Sequence, residues 1–120
     1  MFHSINAYTG ETLCRRPAQS YAEFSQELAA LKVRQQVFAR LGVTGRTALL
    51  QAFAERLAQN KERLAEMVCE EVGRCLHECC AELDKSVELI RYYVRLAPEL
   101  LAHKTIATQA SLRQVRCEPC

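Results

Sequence analysis

The feature that most constrains this chain is an apolar run in its second half, where the spacing alternates between four and three residues. The run comprises Leu76, Cys80, Leu83, Val87, Ile90 and Val94. That spacing places every member on one face of an α-helix about five turns long. Only four glycines and three prolines interrupt the 120 residues, which leaves room for further long helices. We therefore predict a mainly helical chain with a long amphipathic helix at this position.

A first helix is predicted from the segment Ser20-Tyr21-Ala22-Glu23. In this capping-box pattern, the serine oxygen accepts a hydrogen bond from a free backbone N–H, and the glutamate reaches back to the amide of the cap residue. Gly42 is expected to end the helix in the left-handed conformation. The apolar stripe of this helix is Phe24, Leu28, Leu31, Phe38 and Leu41.

Two more helices are predicted between this one and the long apolar run, which makes the long helix the fourth. Thr44 is expected to open the second helix, and Asn60 to end it and cap the third. Pro98 is expected to kink the fourth helix or restart a short last turn, because proline lacks an amide donor. The second helix carries Leu49, Leu50, Phe53 and Leu57. The predicted buried face of the third, before Gly73, is Leu64, Met67, Val68 and Val72.

Short extended segments flank the helices. Residues 4–16 predict a β-hairpin in which Gly10 supplies the positive φ of a tight reversal, and Pro17 ends it. From Thr105 onward, β-branched residues in short runs suggest a second hairpin or an extended arm, including Val115. We expect one unit over 1–120, divided into a hairpin at 1–17, a helical layer at 20–102 and an arm at 103–120.

Composition excludes several classes of function. The net charge is 16 − 14 = +2, which is too weak to favour nucleic acid or an anionic membrane as a partner. No stretch is long and apolar enough to cross a bilayer, and no secretory signal is visible, so we expect a cytoplasmic protein. Seven cysteines, an odd number, then predict reduced thiols rather than a disulfide framework. Cys80 is expected in the core.

Cysteine and histidine spacing could suggest a metal site. The candidate ligands at the start of the fourth helix are Cys75, His77, Cys79 and Cys80. On a helix, however, His77 lies about 200° away from Cys75, so these side chains do not converge. Cys117 and Cys120 have the spacing of half a zinc knuckle but lack a second such pair. The same pair lacks the following helix that a redox motif needs.

Other polar clusters are best interpreted as surface. The three histidines, His3, His77 and His103, fall in different elements with no nucleophile motif nearby, so a hydrolase is unsupported. Glu82 can pair with Lys85 across one helical turn.

Two further groups were considered as binding sites. Arg15–Arg16, Arg91 and Arg95 could bind an anion, but the near-neutral charge favours an ordinary solvated surface. Tyr92 and Tyr93 are interpreted as a pair with one ring in the core and one at its rim. A nucleic-acid platform would interleave several aromatic and basic residues, and this segment does not.

Four motifs in order resemble a known family. Asn6-Ala7-Tyr8-Thr9-Gly10-Glu11 resembles the Asn-Pro-x-Thr-Gly-Glu hairpin that opens NAD(P)-dependent aldehyde dehydrogenases. Glu71-Val72-Gly73-Arg74 is similar to their Glu-x-Gly-Lys turn, followed by a helix in which Glu78 and Glu82 stand where the family often has acids. The last two are Ile90-Arg91-Tyr92-Tyr93, similar to an aromatic stretch late in that helix, and Val115-Arg116-Cys117-Glu118-Pro119, similar to the Arg-x-Glu-Pro strand.

The resemblance implies the amino-terminal part of the aldehyde dehydrogenase fold, with succinate-semialdehyde dehydrogenases most similar. Ala7 stands where the family usually has proline, Arg74 replaces its lysine, and Cys75 lies near a common proline. The family polypeptide is several times longer. In the family, the segment like Lys104 to Glu118 enters an arm of antiparallel strands that mediates oligomerisation, so 103–120 is the expected start of that arm.

The chemistry of the family is expected to lie outside this chain. No cysteine here follows a Gly-Gln-like segment, as the family nucleophile does, and the glycines form no Gly-x-Gly-x-x-Gly turn. Gly42-Val43-Thr44-Gly45 is best interpreted as the end of one helix and the start of the next. We assign no catalytic, cofactor-binding or metal-binding residue, and NAD or NADP is implied only for the complete family protein.

Three functions follow as hypotheses. The first is a truncated or separately encoded amino-terminal segment of an aldehyde dehydrogenase, inactive alone, with the rest of the dehydrogenase or a homo-oligomer as its partner. The alternative is a small helical protein that associates with itself or with another protein through the apolar stripe of its fourth helix. A zinc or thiol module is the third and least supported hypothesis.

Overall fold

The computed structural model describes residues 1–106, 114–115 and 117. The elements along the chain are β1 (Phe2–Ile5), β2 (Thr12–Arg16), α1 (Tyr21–Arg40), α2 (Gly42–Gln59), α3 (Lys61–Val72), α4 (Leu76–Leu100), β3 (Lys104–Thr105) and β4 (Gln114–Val115). The predicted mainly helical fold, with four helices between two strand pairs, is therefore confirmed.

The two strand pairs are both antiparallel. β1 pairs with β2, with Phe2 opposite Arg16 and an irregularity between Ser4 and Ile5. Gly10 has φ +74°, as the predicted reversal requires. β3 and β4 pair over two residues each. Residues 107–113, between β3 and β4, lie outside the described residues. So do residues 118–120, which include the second cysteine of the Cys117–Cys120 pattern.

Helix α1 begins as the sequence predicts. The Ser20 Oγ atom accepts from the Glu23 N–H at 3.3 Å, and the Glu23 carboxylate accepts from the Ser20 N–H at 2.7 Å. Gly42 has φ +66° after the last turn of α1, which confirms its left-handed conformation. A Cβ atom at Gly45 would lie 2.8 Å from the Leu41 Cβ atom. The joint between α1 and α2 is therefore too tight for a larger residue at position 45.

The predicted boundary at Asn60 is confirmed, since Asn60 ends α2 and is the cap residue of α3, but the predicted start of α2 at Thr44 is wrong. Helix α2 begins at Gly42, so Thr44 lies inside its first turn, where the Thr44 carbonyl accepts from the Thr47 hydroxyl at 3.0 Å. Asn60 makes no side-chain bond to the start of α3. Its amide instead donates to the Arg56 carbonyl at 2.8 Å. Asn60 therefore satisfies the end of α2, because a single residue links the two helices.

Helix α4 continues through Pro98 to Leu100, so the predicted restart of a last turn is wrong. Proline removes the N–H that would bond one turn back, and its ring crowds the carbonyl of the preceding turn. Both effects fall near the helix end, where few bonds follow. The Leu101 N–H still donates to the Ala97 carbonyl at 2.9 Å. Helix α4 therefore keeps its hydrogen-bonded end beyond the proline.

The core lies where α4 packs against α2 and α3. Its buried side chains are all small or β-branched: Ala54, Ala65, Cys79 and Val87. Small side chains at these positions let the helix backbones approach closely. Lys61, at the start of α3, also reaches the Asp84 carboxylate of α4, with Nζ to Oδ2 at 2.9 Å.

In α3 and in α4, the buried residue lies one position away from a residue that the sequence placed in the core. Ala65 is fully buried, whereas Met67 and Val72 of the predicted α3 face are 49% and 59% exposed. Cys79 is buried, whereas Cys80 is only half-buried. One residue is a 100° rotation on a helix, so the actual contact faces are turned relative to the apolar stripes.

The chain is elongated. Its radius of gyration is 20.5 Å, compared with about 14 Å for a compact domain of this length. Helix α1 has no buried residue and contacts α2 as its neighbour among the helices. Among the described residues, none of the helices is long and apolar enough to cross a membrane.

Candidate functional site: the hairpin junction and the uncovered helix faces

The loop between β1 and β2 is held by the Asn6 side chain. The Asn6 Oδ1 atom accepts from the backbone N–H groups of Tyr8 at 2.9 Å and Thr9 at 3.0 Å. The Asn6 N–H donates to the Glu11 carbonyl at 2.8 Å, and the Gly10 N–H donates to the Asn6 carbonyl at 2.9 Å. Asparagine side chains that bond two residues onward are typical of turns. The first motif is therefore a self-supporting loop.

This loop contacts the turn between α3 and α4, and we call the contact between residues 4–11 and 69–74 the hairpin junction. The Ala7 N–H donates to the Glu70 carbonyl at 2.8 Å. The Ser4 hydroxyl donates to the Glu71 carboxylate. These bonds join two motifs that lie more than sixty positions apart. Two of the four segments that carry the family resemblance are therefore in direct contact.

Gly73 is required at the hairpin junction for two reasons. Its φ of +75° is a left-handed conformation that favours glycine. A Cβ atom at this position would also lie 3.0 Å from the Ala7 Cβ atom. Beside it, the Tyr8 hydroxyl donates to the Arg74 carbonyl at 3.4 Å. The glycine of this turn thus lets the hairpin approach α3 closely.

Arg74, just before α4, forms an ion pair with Glu82 of α4. The sequence had instead suggested that Glu82 pairs with Lys85. The hydrogen bond from Arg74 to the Glu82 carboxylate raises the pKa of the guanidinium. Both side chains are exposed, and ion pairs of this kind contribute little to stability. The pair therefore orients the turn against α4 more than it stabilises the fold.

Thiols lie under the hairpin junction. The Cys69 thiol donates to the Arg74 carbonyl at 2.9 Å, the same oxygen that Tyr8 contacts. Burial raises the pKa of the Cys79 thiol, and the neighbouring Cys69 adds to this shift. Loss of hydration and then Cys69 raise the pKa of the Tyr8 hydroxyl. These shifts keep the groups neutral, which opposes a reactive thiolate.

The same order of elements occurs in known proteins. The model of the aldehyde dehydrogenase family matches residues 1–120. The chain belongs to the aldehyde dehydrogenase family. The resemblance inferred from the four motifs is confirmed, and the hairpin junction is where two of those motifs meet in this family member.

Relatives within the aldehyde dehydrogenase family include enzymes named for semialdehydes. The chain is 30% identical over 107 residues to the malonate-semialdehyde dehydrogenase of Listeria monocytogenes serotype 4b, covering 89% of this chain and 22% of that protein. It is 29% identical over 105 residues to the NADP(+) succinate-semialdehyde dehydrogenase of Deinococcus radiodurans, covering 88% and 22%. The chain thus spans about a fifth of the length of these relatives.

Solved structures of aldehyde dehydrogenases share the fold. The succinic semialdehyde dehydrogenase from Streptococcus pyogenes, in complex with NADP+, superimposes with a TM-score of 0.84 at 20% identity. The match covers 95% of this chain and 25% of that one. The glyceraldehyde-3-phosphate dehydrogenase from Methanocaldococcus jannaschii, complexed with NADP, also gives 0.84 at 21% identity, covering 93% and 24%.

The third aldehyde dehydrogenase motif lies on the outside of α4. The rings of Tyr92 and Tyr93 are 5.3 Å apart at an interplanar angle of 81°. Both are exposed, at 49% and 56%, so the interpretation of one ring as core is wrong. They lie beyond the stretch of α4 around Cys79 and Val87 that is buried. Of the fourth motif, only Val115 and Cys117 are described.

The segment from Gly42 to Gly45 lacks the surroundings of a pyrophosphate site. Pyrophosphate binding needs a strand, a tight turn and a helix amino terminus. The segment from Gly42 to Gly45 follows helix α1 rather than a strand, and the Leu41 side chain occupies the space beside Gly45. Over the described residues, no three His, Cys, Asp or Glu side chains are grouped to hold a metal ion; Cys120 lies outside this range.

Large apolar side chains are exposed on the helices of this aldehyde dehydrogenase chain. We call the side chains that line one side of α1 the α1 stripe: Phe24, Leu28, Leu31, Phe38 and Leu41. Their exposed fractions lie between 41% and 56%. Leu49, Leu50 and Phe53 of α2 are exposed as well. A groove along the outside of α4 is lined by Lys85, Glu88, Leu89, Arg91, Tyr92 and Arg95.

Sequence reasoning found the motifs but missed their contacts. Nothing in the spacing of Ser4 or Tyr8 indicates a partner near position 70, because the turn that receives them is distant in the chain. Ala54 and Ala65 were missed as core residues because alanine gives little periodic signal. The exposure of the α1 stripe could not be predicted either, because the periodicity of apolar residues identifies one face of a helix but not what packs against that face.

Proposed function

We propose that this chain is the helical amino-terminal layer of an NAD(P)-dependent semialdehyde dehydrogenase and is not catalytic by itself. The observation that carries the proposal is the family match over the whole chain combined with a span of about 22% of its relatives. The relatives' names support a semialdehyde with a carboxylate tail as the substrate class. The division into 1–17, 20–102 and 103–120 is part of the same proposal.

The proposed role of these residues is structural. The family oxidises an aldehyde to an acid, with NAD or NADP as the oxidant, and we assign no step of that reaction to this chain. The hairpin junction fixes the amino-terminal loop on α3 and α4. The α1 stripe and the exposed side chains of α2 then offer apolar surface to the rest of the dehydrogenase, since such surface favours burial.

A cytoplasmic setting belongs to this proposal. All six described cysteines are free. Free thiols are usual in a reducing compartment.

Turnover measurements test the proposal. The chain is mixed with succinate semialdehyde or malonate semialdehyde and NAD or NADP, and absorbance of the reduced cofactor is followed. We expect no signal from the chain alone, and the complete Deinococcus radiodurans enzyme serves as the positive control. Measurable turnover by the chain alone would contradict it.

A mixing experiment tests the structural role directly. The Deinococcus radiodurans enzyme is prepared without the segment that matches this chain, and the two polypeptides are combined. We expect them to co-purify and the mixture to regain reduction of NADP. If the two remain separate at all ratios, the role as a helical layer is wrong.

Self-association is the second candidate function, favoured by the exposed apolar faces. Phe24, Leu31 and Phe53 are each more than half exposed, and apolar patches of this kind mark interaction surfaces. Light scattering is expected to give a mass above the 13.6 kDa of one chain. A monomer at high concentration would contradict this candidate.

A further inference from the structure

We propose that Cys69 and Cys79 form a dithiol site between α3 and α4, which a small-molecule disulfide such as oxidised glutathione converts to a disulfide bond. Every residue that forms the site belongs to this chain, in α3, α4 and the hairpin. The site is therefore separate from the apolar surface that we assign to contact with the rest of a dehydrogenase.

The helix pair brings the two cysteines to the same level. A turn of only three residues, 73–75, joins α3 to α4, and such short connections typically join antiparallel helices. Lys61 at the start of α3 also bonds Asp84 of α4, with Nζ to Oδ1 at 3.0 Å. Cys69 lies four positions before the turn and Cys79 four positions after it. The turn at one end and the ion pair at the other therefore place the two cysteines opposite each other.

Both thiols lie beneath Tyr8 of the hairpin. The Cys69 Sγ atom is 2.9 Å from the Arg74 carbonyl oxygen, and the Tyr8 hydroxyl is 3.4 Å from the same oxygen. The Cys69 sulfur is thus directed toward the turn rather than back along α3. Cys79 is 1% exposed at the start of α4. After loss of hydration, Cys69 is the next cause that raises the pKa of the Cys79 thiol, which supports a short distance between them.

Burial gives the two thiols different roles. Cys69 is half-buried and attacks one sulfur of oxidised glutathione, which forms a mixed disulfide and releases one glutathione. The buried Cys79 thiol then attacks the Cys69 sulfur, so that the second glutathione leaves and the protein disulfide remains. Each departing sulfur takes up the proton that the attacking thiol loses. Two thiols of the chain are thereby oxidised, and one glutathione disulfide is reduced to two thiols.

Two neighbouring cysteines are the competitors that the test must separate. Cys75 is exposed in the turn, and Cys80 is half-buried beside Cys79. One position is a rotation of about 100° on a helix, so Cys80 is directed away from the side of α4 where Cys79 is buried. We therefore expect a bond from Cys69 to Cys79 in preference to either competitor.

Peptide mapping of the full chain tests the pairing. The reduced chain is incubated with oxidised and reduced glutathione, the remaining thiols are alkylated, and tryptic peptides are analysed by tandem mass spectrometry. Cleavage after arginine and lysine leaves Cys69 in peptide 64–74 and the other three cysteines in peptide 75–85. We expect these peptides to be linked, with the bond at Cys79 and reversal by dithiothreitol. A bond at Cys75 or Cys80, or no link, would overturn the inference.

Substitutions test the roles of the two thiols. Cys79→Ala removes the second attack and is expected to raise the fraction of Cys69 that retains glutathione about tenfold. Cys80→Ala is the matched control and should keep this fraction within about twofold of the unmodified chain. An equal glutathione content at Cys69 in the unmodified chain and in Cys79→Ala would show that Cys79 does not resolve the mixed disulfide.

Cys69→Ser keeps the test decisive if Cys79→Ala does not fold. Serine retains a hydroxyl donor for the Arg74 carbonyl, and circular dichroism checks the helix content of each variant. We expect Cys79 to remain unmodified in Cys69→Ser, because it is buried and has lost the thiol that admits the oxidant. Glutathione on Cys79 of this variant would overturn the assignment of Cys69 as the entry thiol.

Unfolding separates a built site from random thiol exchange. In urea the preference of Cys69 for Cys79 over Cys75 is expected to disappear, because Cys75 is nearer in the sequence. The same preference in urea would show that the fold does not pair the thiols. None of these results alters the turnover test of the dehydrogenase proposal, so the two can fail separately.

Discussion

Helices α1 and α4 carry nearly the same apolar spacing, yet only α4 is packed. Val87 of α4 is 5% exposed, whereas Leu31 of α1 is 56% exposed. Helix α4 lies against both α2 and α3, and α1 lies beside α2 with far less contact. The comparison teaches that an amphipathic pattern predicts a helix and its apolar face reliably, but leaves open which molecule covers that face.

The two helices also differ in what holds them in place. The small side chains of Ala54, Ala65 and Cys79 let α4 approach its neighbours closely. Helix α1 depends on its joint with α2, where an Arg46 guanidinium nitrogen donates to the Ala39 carbonyl at 3.2 Å. Most of the stability of a helix in a protein comes from the tertiary packing of its apolar face. We therefore expect α1 to exchange amide hydrogens much faster than α4.

The largest loss of stability is expected when a charged side chain is placed in the packed face of α4. Val87→Asp buries a carboxylate without a partner among apolar side chains, and is expected to lower the free energy of unfolding by about 3 kcal/mol or more. Urea unfolding followed by circular dichroism measures it. The matched variant Val33→Asp on α1 is expected to cost less than about 1 kcal/mol, because Val33 is exposed. Equal losses would show that α1 and α4 are equally packed.

Much of the fold could be predicted because the signals are local. The capping box at Ser20, the left-handed Gly42 and the α4 apolar run each act within a few turns of chain, and each is confirmed. The start assigned to Thr44 is wrong, and Asn60 caps α3 by position but not through its side chain, because the joints between helices are one residue long. In such joints, one residue serves the end of one helix and cannot also cap the next with its side chain.

The candidate site was predictable only in part, because its contacts are distant in sequence. The motifs at residues 6–11 and 71–74 were found separately, but the bond from Ala7 to Glu70 follows from how α3 folds back. Cys79 is buried in place of Cys80 because the contact face of α4 is set by α2 and α3, which no local pattern reports. The spacing of apolar residues does not define the buried face of a helix to within one residue.

A smaller loss of stability is expected from substitutions at the hairpin junction. Gly73 and Gly10 have nearly the same φ, +75° and +74°, but only Gly73 has a neighbour, the Ala7 side chain, within reach of an added Cβ. Gly10→Ala is expected to cost about 1 kcal/mol from backbone strain alone. Gly73→Ala is expected to cost about 2 kcal/mol, because strain and contact add. Urea unfolding of both variants measures the difference.

Amide exchange at Ala7 distinguishes the cause. If Gly73→Ala pushes the hairpin away from α3, the Ala7 N–H loses its acceptor, the Glu70 carbonyl, and exchanges faster, whereas Gly10→Ala leaves this bond intact. Identical unfolding free energies and unchanged Ala7 exchange in both variants would show that the hairpin junction is not close-packed.

The smallest effect is a dependence of α1 on pH, since α1 has little besides its cap to hold it. The backbone and then the hydroxyl of Ser20 donate to the Glu23 carboxylate and lower its pKa below the ordinary value of 4.5. A carboxyl group whose folded pKa is lowered stabilises the helix above its unfolded pKa, and this stabilisation is lost as pH falls through the folded pKa. The protection factors of the amides at residues 21–24, which are exchange rates corrected for the intrinsic effect of pH, should therefore fall below about pH 4.5.

Glu23→Gln isolates this contribution, because glutamine keeps an acceptor oxygen but does not titrate over that range. The variant is expected to have a less stable first turn of α1 at neutral pH and no acid-induced loss from this position. Glu27→Gln, one turn further along the same helix, removes the same charge without touching the Ser20 cap and should retain the acid response of the unmodified chain. Amides of α4, which is held by packing against α2 and α3, should respond to neither substitution. If α4 amides respond as strongly as those of α1, the cap is not what distinguishes the two helices, because the acid effect would then not be confined to the first turn of α1.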